Sequence, residues 1–309
     1  MFKYILRRIL LMIPVMLFVI VIVFTLMYFT PGDPVDTILA GSDATAQTRE
    51  ALREELGLNG TYLERLGRYI GGLLHGDLGL DYNSRMPVID IIKVAFPSTL
   101  KIAGAAIAFA TILGIAIGIW AAVNQYTFAD TFATILALLG NSMPVFWLAL
   151  LLMLQFSIRL RWLPATGLDG WKGLIMPAFC TSVSSLAAIA RMTRSSMLEV
   201  IRSDYITTAR AKGVREANVI TEHALGNAMI PVVTTIGIQF GNLLGGAVLT
   251  ETVFAIPGMG TMIVSAIKAR NIPVVQGGVL VCALSLCVLN LVIDLLYGFI
   301  DPRIKSQYK

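Results

Sequence analysis

The chain has 309 residues, 56% hydrophobic and only 14% charged, with a mean hydropathy of +0.77. Soluble chains are about a quarter charged. The charges here are clumped between long apolar runs, which excludes a soluble enzyme, a disordered chain and a secreted disulfide scaffold. The formal charge of +5 comes from basic residues at the ends of those runs, where inner flanks collect them, so no nucleic-acid partner is expected. His75 and His223 are the only histidines, and Cys180, Cys282 and Cys287 all fall in apolar runs, so no dedicated metal site is expected.

Six apolar segments predict six spans: 9–29, 98–122, 131–157, 173–190, 228–250 and 274–298. Their only charges are Lys101 and Asp294, both near a span end, as the cost of about 2.5–3.5 kcal/mol for a mid-bilayer charge requires. The first segment follows Lys3, Arg7 and Arg8 and leads into Thr30-Pro31-Gly32-Asp33-Pro34 rather than a small-residue cleavage site, so it reads as a retained helix with its N-terminus inside the cell. Six spans then return the C-terminus to the inside. The expected fold is an all-α polytopic membrane protein with six transmembrane helices. Residues 1–29 form the inner tip and first span, 30–97 an extracytoplasmic domain, 98–300 the transmembrane core, and 301–309 a cytoplasmic tail. Asp294 is expected near the inner surface, where Arg191 or Arg194 can pair with it.

The stretch 30–97 carries ten acidic and six basic residues. Thr45–Leu56 and Thr61–Leu74 read as short surface helices. Thr61 with Glu64 has the spacing of a capping box, and Gly57 that of a helix stop. The region is either a solvated cover over the helix ends or a docking element for an outer partner.

Asn141, Ser142 and Pro144 interrupt the third segment, where the proline frees a carbonyl and can kink the helix. Gln239 and Asn242 sit in the fifth, and Ser182, Ser184 and Ser185 in the fourth. Such groups turn toward other helices or a wet cavity. Asn141, Ser142, Pro144, Gln239 and Asn242 are therefore candidates for a translocation path, with hydrogen bonding between helices as the plainer alternative. Gly237, Gly241 and Gly245 recur every four residues and give the fifth helix a small-residue stripe. That stripe packs either within the subunit or at a subunit pair. Gly114 and Gly118 repeat the pattern more weakly.

The inner loop 191–227 is the most informative stretch. Ser203 or Asp204 can cap a helix over Tyr205–Lys212, Gly213 can end it in the left-handed conformation, and Arg215–Leu225 leads into the fifth span. A short helix across the inner membrane face, tied to two spans, suits transmission of force from a cytosolic partner. The chain has no Gly-x-x-x-x-Gly-Lys-Ser/Thr loop to hold ATP phosphates, no carboxylate, Lys or His at mid-span to couple ions, and no His-Glu-x-x-His or Gly-x-Ser-x-Gly motif.

The run Asp204-Tyr205-Ile206-x-Thr208-Ala209-Arg210-Ala211-Lys212-Gly213, followed by His223-Ala224-Leu225-x-Asn227-Ala228-x-Ile230-Pro231, resembles the inner loop of binding-protein-dependent ABC importer permeases, in particular the peptide/opine/nickel branch. Pro31-Gly32-Asp33-Pro34, Gly76-Asp77-Leu78-Gly79, Glu251-Thr252-Val253-Phe254, Pro257-Gly258-Met259-Gly260 and Pro273-Val274-Val275-Gln276-Gly277-Gly278 agree in the same order along the chain. Thr207-Thr208-Ala209 stands where the wider superfamily has Glu-Ala-Ala. The resemblance implies a non-enzymatic permease subunit of the bacterial or archaeal plasma membrane, importing di- or oligopeptides. Glutathione, nickel or a metal chelate are alternative cargoes, and an ion-coupled carrier is a distant one. It implies as partners a second homologous permease, two cytosolic ATPase subunits that hold the ATP and Mg, and an extracytoplasmic substrate-binding protein. It implies no cofactor on this chain. Asp204, Tyr205, Thr208, Ala209, Arg210, Ala211, Lys212 and Gly213 would form the coupling helix that docks on the ATPase.

Overall fold

The computed structural model describes residues 2–40 and 43–300. In chain order the helices are α1 (Phe2–Phe29), α2 (Pro34–Ile38), α3 (Ala46–Glu55), α4 (Tyr62–Leu74), α5 (Val88–Val123), α6 (Phe128–Ser142), α7 (Val145–Leu152), α8 (Gly170–Ile201), α9 (Asp204–Ala211), α10 (Glu216–Asn218), α11 (Leu225–Gly246), α12 (Val248–Val253), α13 (Met259–Lys268) and α14 (Ile272–Ile300). Wider π-helical turns continue α7 over Met153–Arg159 and join α10 to α11 over Val219–Ala224. Among the described residues five helices are long and apolar enough to cross a membrane: Ile5–Phe29, Val88–Val123, Gly170–Ile201, Glu216–Gly245 and Ile272–Leu295. The chain is an all-helical, multi-pass membrane protein.

The expected third segment, 131–157, is not one helix. It breaks between α6 and α7, where Met143 (ψ 126°) and Pro144 (ψ 129°) are extended. The proline ring disfavours helical geometry at the residue before it, and proline itself has no N–H to continue the ladder. The Trp147 and Leu148 N–H groups restart the helix on the Pro144 carbonyl at 3.0 and 3.1 Å.

Residues divide into two compact units. One comprises Phe2–Thr99 and Pro257–Cys287. Its core joins Val88, Ile92 and Ala95 of α5 to Met259 and Ala266 of α13 and Val274 and Val275 of α14. Thr45 caps α3, and Thr61 with Glu64 caps α4 reciprocally. Gly57 ends α3 at φ +65°. Phe24 and Tyr28 of α1 meet the Tyr62 ring at 5.4 and 5.2 Å between centroids, which docks α4 on α1. A tight turn at 77–88 is held by Asp81, which accepts from the Asn83 N–H (2.8 Å), the Ser84 hydroxyl (2.9 Å) and the Asn271 amide. The Gly79 and Pro273 motifs, far apart in sequence, are in contact here: a Cβ on Gly79 would stand 3.2 Å from the Pro273 Cβ.

The other unit comprises Leu100–Ile256 with residues 288–300. Helix α8 is its axis. Gly114 and Gly118 of α5 let the α8 backbone approach, since a Cβ on Gly118 would lie 2.7 Å from the Ala190 carbonyl oxygen. Ala110, Ile189 and Val232 seal α5, α8 and α11 together. Ile102, Ala149, Met176, Cys180, Phe254 and Ile256 form a second cluster.

Candidate functional site

Helix α8 runs eleven residues beyond the apolar segment 173–190, because helical hydrogen bonding continues through Arg191, Arg194 and Glu199 after hydropathy has fallen. It ends at Arg202, and the Ser203 hydroxyl donates to the Val200 carbonyl at 2.6 Å. Ser203 is therefore spent on closing α8, and its side chain does not cap α9. Asp204 sits in the first turn of α9, where its charge complements the helix dipole.

One side chain anchors α9. Ile206 is fully buried among Ala122 of α5, Met197 of α8, Val219 and Ala224 of the π-helical turn, and Ala228 of α11. Asp204, Tyr205, Thr208, Arg210, Ala211, Lys212 and Gly213 are exposed, and Ala209 is half-buried. The helix thus presents an open, polar and basic face on an apolar pivot. Gly213 lies at φ +80°, and its N–H donates to the Arg210 carbonyl at 2.9 Å. A side chain is strained at that φ, so the abrupt stop belongs to glycine.

Three polar contacts fix the element's orientation. The Asn227 amide donates to the Tyr205 hydroxyl at 2.8 Å, tying α9 to α11. Arg210 and Glu216 pair across the glycine turn through bonds of 2.7 and 3.1 Å. Both side chains of that pair are well exposed, so solvent screens it and it mainly sets direction. The Arg202 guanidinium reaches the Gln125 side-chain oxygen at 3.1 Å.

A stronger clamp lies behind. Arg194 of α8 grips Asp130 of α6 with two bonds of 2.5 and 2.7 Å, and Asp130 also accepts from the Tyr126 N–H at 3.2 Å. The Asp130 side chain is 8% exposed and that of Arg194 31%. Of the two arginines expected near Asp294, Arg194 thus turns two of its guanidinium nitrogens to Asp130. Ile206, Asn227 and Asp130 had not been singled out as site residues. The signal for Ile206 was present as the lone large apolar residue inside a polar run.

The remaining candidates are placed as follows. Gln239 of α11 accepts from the Ser185 hydroxyl of α8 at 3.2 Å, a bond between helices. Ser142 is exposed and donates to the Leu138 carbonyl of its own helix at 2.9 Å. Pro144 and Asn242 are exposed, and the side chain of Asn141 lies outside the described set. Gly237 and Gly241 are buried while Gly245 is open. A Cβ on Gly237 would overlap Ile293 of α14, so this end of the stripe packs within the unit. Among the described residues no three His, Cys, Asp or Glu side chains gather as a metal ion would need.

Residues 114–306 match the family described as binding-protein-dependent transport system inner membrane component, and residues 1–103 match its N-terminal counterpart. The dipeptide transport system permease protein DppB of Alkalihalophilus pseudofirmus is 43% identical, covering 99% of this chain and 100% of that protein. The glutathione transport system permease protein GsiC of Escherichia coli O6:H1 is 42% identical with the same coverage. Among solved structures, the inward-facing MetNI methionine ABC transporter superposes with a TM-score of 0.60 at 17% identity, covering 69% of this chain and 97% of that one. That last likeness is one of fold.

Proposed function

Because the chain belongs to the family of binding-protein-dependent transport system inner membrane components, we propose that it is the permease subunit of an ATP-driven importer carrying dipeptides across a bacterial inner membrane. ATP is hydrolysed on separate ATPase subunits, and an extracytoplasmic binding protein delivers cargo to a pair of homologous permeases. Both termini and the α8–α11 loop lie inside the cell, and residues 30–97 lie outside.

The observation that carries the reading is α9: eight residues, one buried anchor, and an exposed polar face bolted to the ends of α8 and α11. Closure of the ATPase dimer pushes on Asp204, Tyr205, Thr208, Ala209, Arg210, Ala211, Lys212 and Gly213. Ile206 is the pivot through which that push reaches α8 and α11. The Tyr205–Asn227 bond and the Asp130–Arg194 clamp keep the displacement rigid, so the spans rock as bodies between inward- and outward-open states. Asn141, Ser142, Pro144, Gln239 and Asn242 supply neutral amides, hydroxyls and backbone to the path, which suits cargo of varied side chain. The glycine stripe lets α11 move closely against its neighbours.

Gly213→Pro tests the lever. Proline forces φ near −65° and removes the N–H that bonds Arg210. Uptake of a dipeptide by the reconstituted complex should fall at least ten-fold while ATP hydrolysis and membrane insertion persist. Normal uptake by this variant would contradict the mechanism. Glutathione, itself a peptide, is the second reading of the cargo, since GsiC is about as similar as DppB over as much of the chain.

A further inference from the structure

The unit built on Phe2–Thr99 contains a polar pocket of about 180 Å³, bounded by Tyr28, Thr30, Gly32, Asp33, Arg53 and Arg65. Asp33 is engaged twice: it caps α2 through the Val35 N–H at 2.9 Å and pairs with Arg53. Arg65 stands 5.1 Å over the Tyr28 ring and makes no ion pair among the described residues. Arg270 of the same unit lays its guanidinium against Gly32, 3.1 Å from where a Cβ on that glycine would stand, and it too makes no ion pair among the described residues. Two guanidinium groups, those of Arg53 and Arg65, therefore line a pocket that contains one carboxylate, and a third, that of Arg270, lies against its Gly32 wall; the 30–97 stretch that supplies most of the lining has ten acidic and six basic residues. Both Gly32, whose missing side chain admits Arg270, and Asp33 belong to the Pro31–Pro34 motif that opens this region.

We propose that this pocket is a carboxylate receptor, and that an acidic side chain of the extracytoplasmic binding protein enters it when that protein docks. Guanidinium forks bind carboxylates in two parallel hydrogen bonds, which gives direction as well as attraction. The size argues for a single side chain rather than cargo, because sites for small-molecule ligands usually occupy about 300–1,000 Å³. The charge pattern argues for register. An acidic partner is repelled by the surrounding net negative surface and attracted only at the arginine pocket, so attraction and repulsion together select one docking pose.

The inference rests on the importer reading, and the test separates the two. The complex is placed in lipid nanodiscs, and its affinity for the cognate binding protein is measured at low and high salt, beside ATP-driven uptake. Arg65→Gln and Arg270→Gln, singly and together, should weaken Kd about ten-fold or more at low salt. The double variant should also flatten the salt dependence, with basal ATP hydrolysis unchanged. Lys268→Gln, which removes an exposed charge of the same unit outside the pocket, should leave Kd within two-fold. A Kd within two-fold of wild type in the double variant, or an equal loss with Lys268→Gln, overturns the receptor while leaving the importer standing. Absence of ATP-driven uptake by the wild-type complex overturns the importer reading itself.

Discussion

At the scale of single residues, the caps were legible and the long-range partners were not. Thr45, Thr61 with Glu64, Gly57 and Gly213 announce themselves because their chemistry is satisfied within four residues of sequence. Asp130 and Arg194 are 64 positions apart, and nothing local chooses between Asp130 and Asp294 as the arginine's partner. Asp130→Asn should destabilise the purified protein by about 2 kcal/mol, since it leaves a partly buried guanidinium without its counter-charge. The double variant with Arg194→Gln should cost less than the sum of the two, read from thermal unfolding; simple additivity would mean the clamp is not a unit. Asp81 yields a pH prediction. Burial works to raise its carboxyl, but hydrogen bonds from the Asn83 N–H, the Ser84 hydroxyl and the Asn271 amide outweigh it and hold the group below 3.8. A depressed folded-state value means this contribution is complete above about pH 4 and is lost as pH falls through the folded value. Asp81→Asn should lower thermal stability at pH 7 and should flatten its decline below about pH 4. An unchanged acid profile in that variant would remove Asp81 from the account.

At the scale of elements, hydropathy located the apolar helices but missed where helices begin and end. The third segment reads as one apolar run because Met143 and Pro144 are themselves apolar, yet the backbone breaks there. In the fourth, α8 outruns its apolar segment to Ile201, and that charged extension carries Arg194 of the clamp and leads into α9. The short helix α9 was readable from its motif, whereas its pivot required packing to be seen. Ile206→Ala should loosen that pivot, removing burial worth about 2–5 kcal/mol in a closed core. Hydrogen exchange over residues 204–213 should accelerate ten-fold or more, and uptake per ATP hydrolysed should fall. Unchanged exchange in this variant would show that Ile206 does not anchor the helix.

At the scale of the whole molecule, composition was decisive for class and silent on assembly. A chain this apolar, with charges confined to short flanks and loops, can only be a membrane protein, and motifs in a fixed order along nearly its full length point to one family. Which motifs meet in space was not legible: Gly79 contacts Pro273, and Asp81 reaches Asn271 across 190 positions. The energy source is the central claim of the proposed function, because membership of this family of transport-system membrane components is what ties the chain to a separate ATPase. The direct measurement is uptake of a radiolabelled dipeptide by proteoliposomes holding the purified complex and its binding protein. The account predicts uptake that needs hydrolysable ATP, stops with a non-hydrolysable analogue, and is lost when the ATPase subunits are omitted. Concentrative uptake driven by an ion gradient with no ATP present would contradict it.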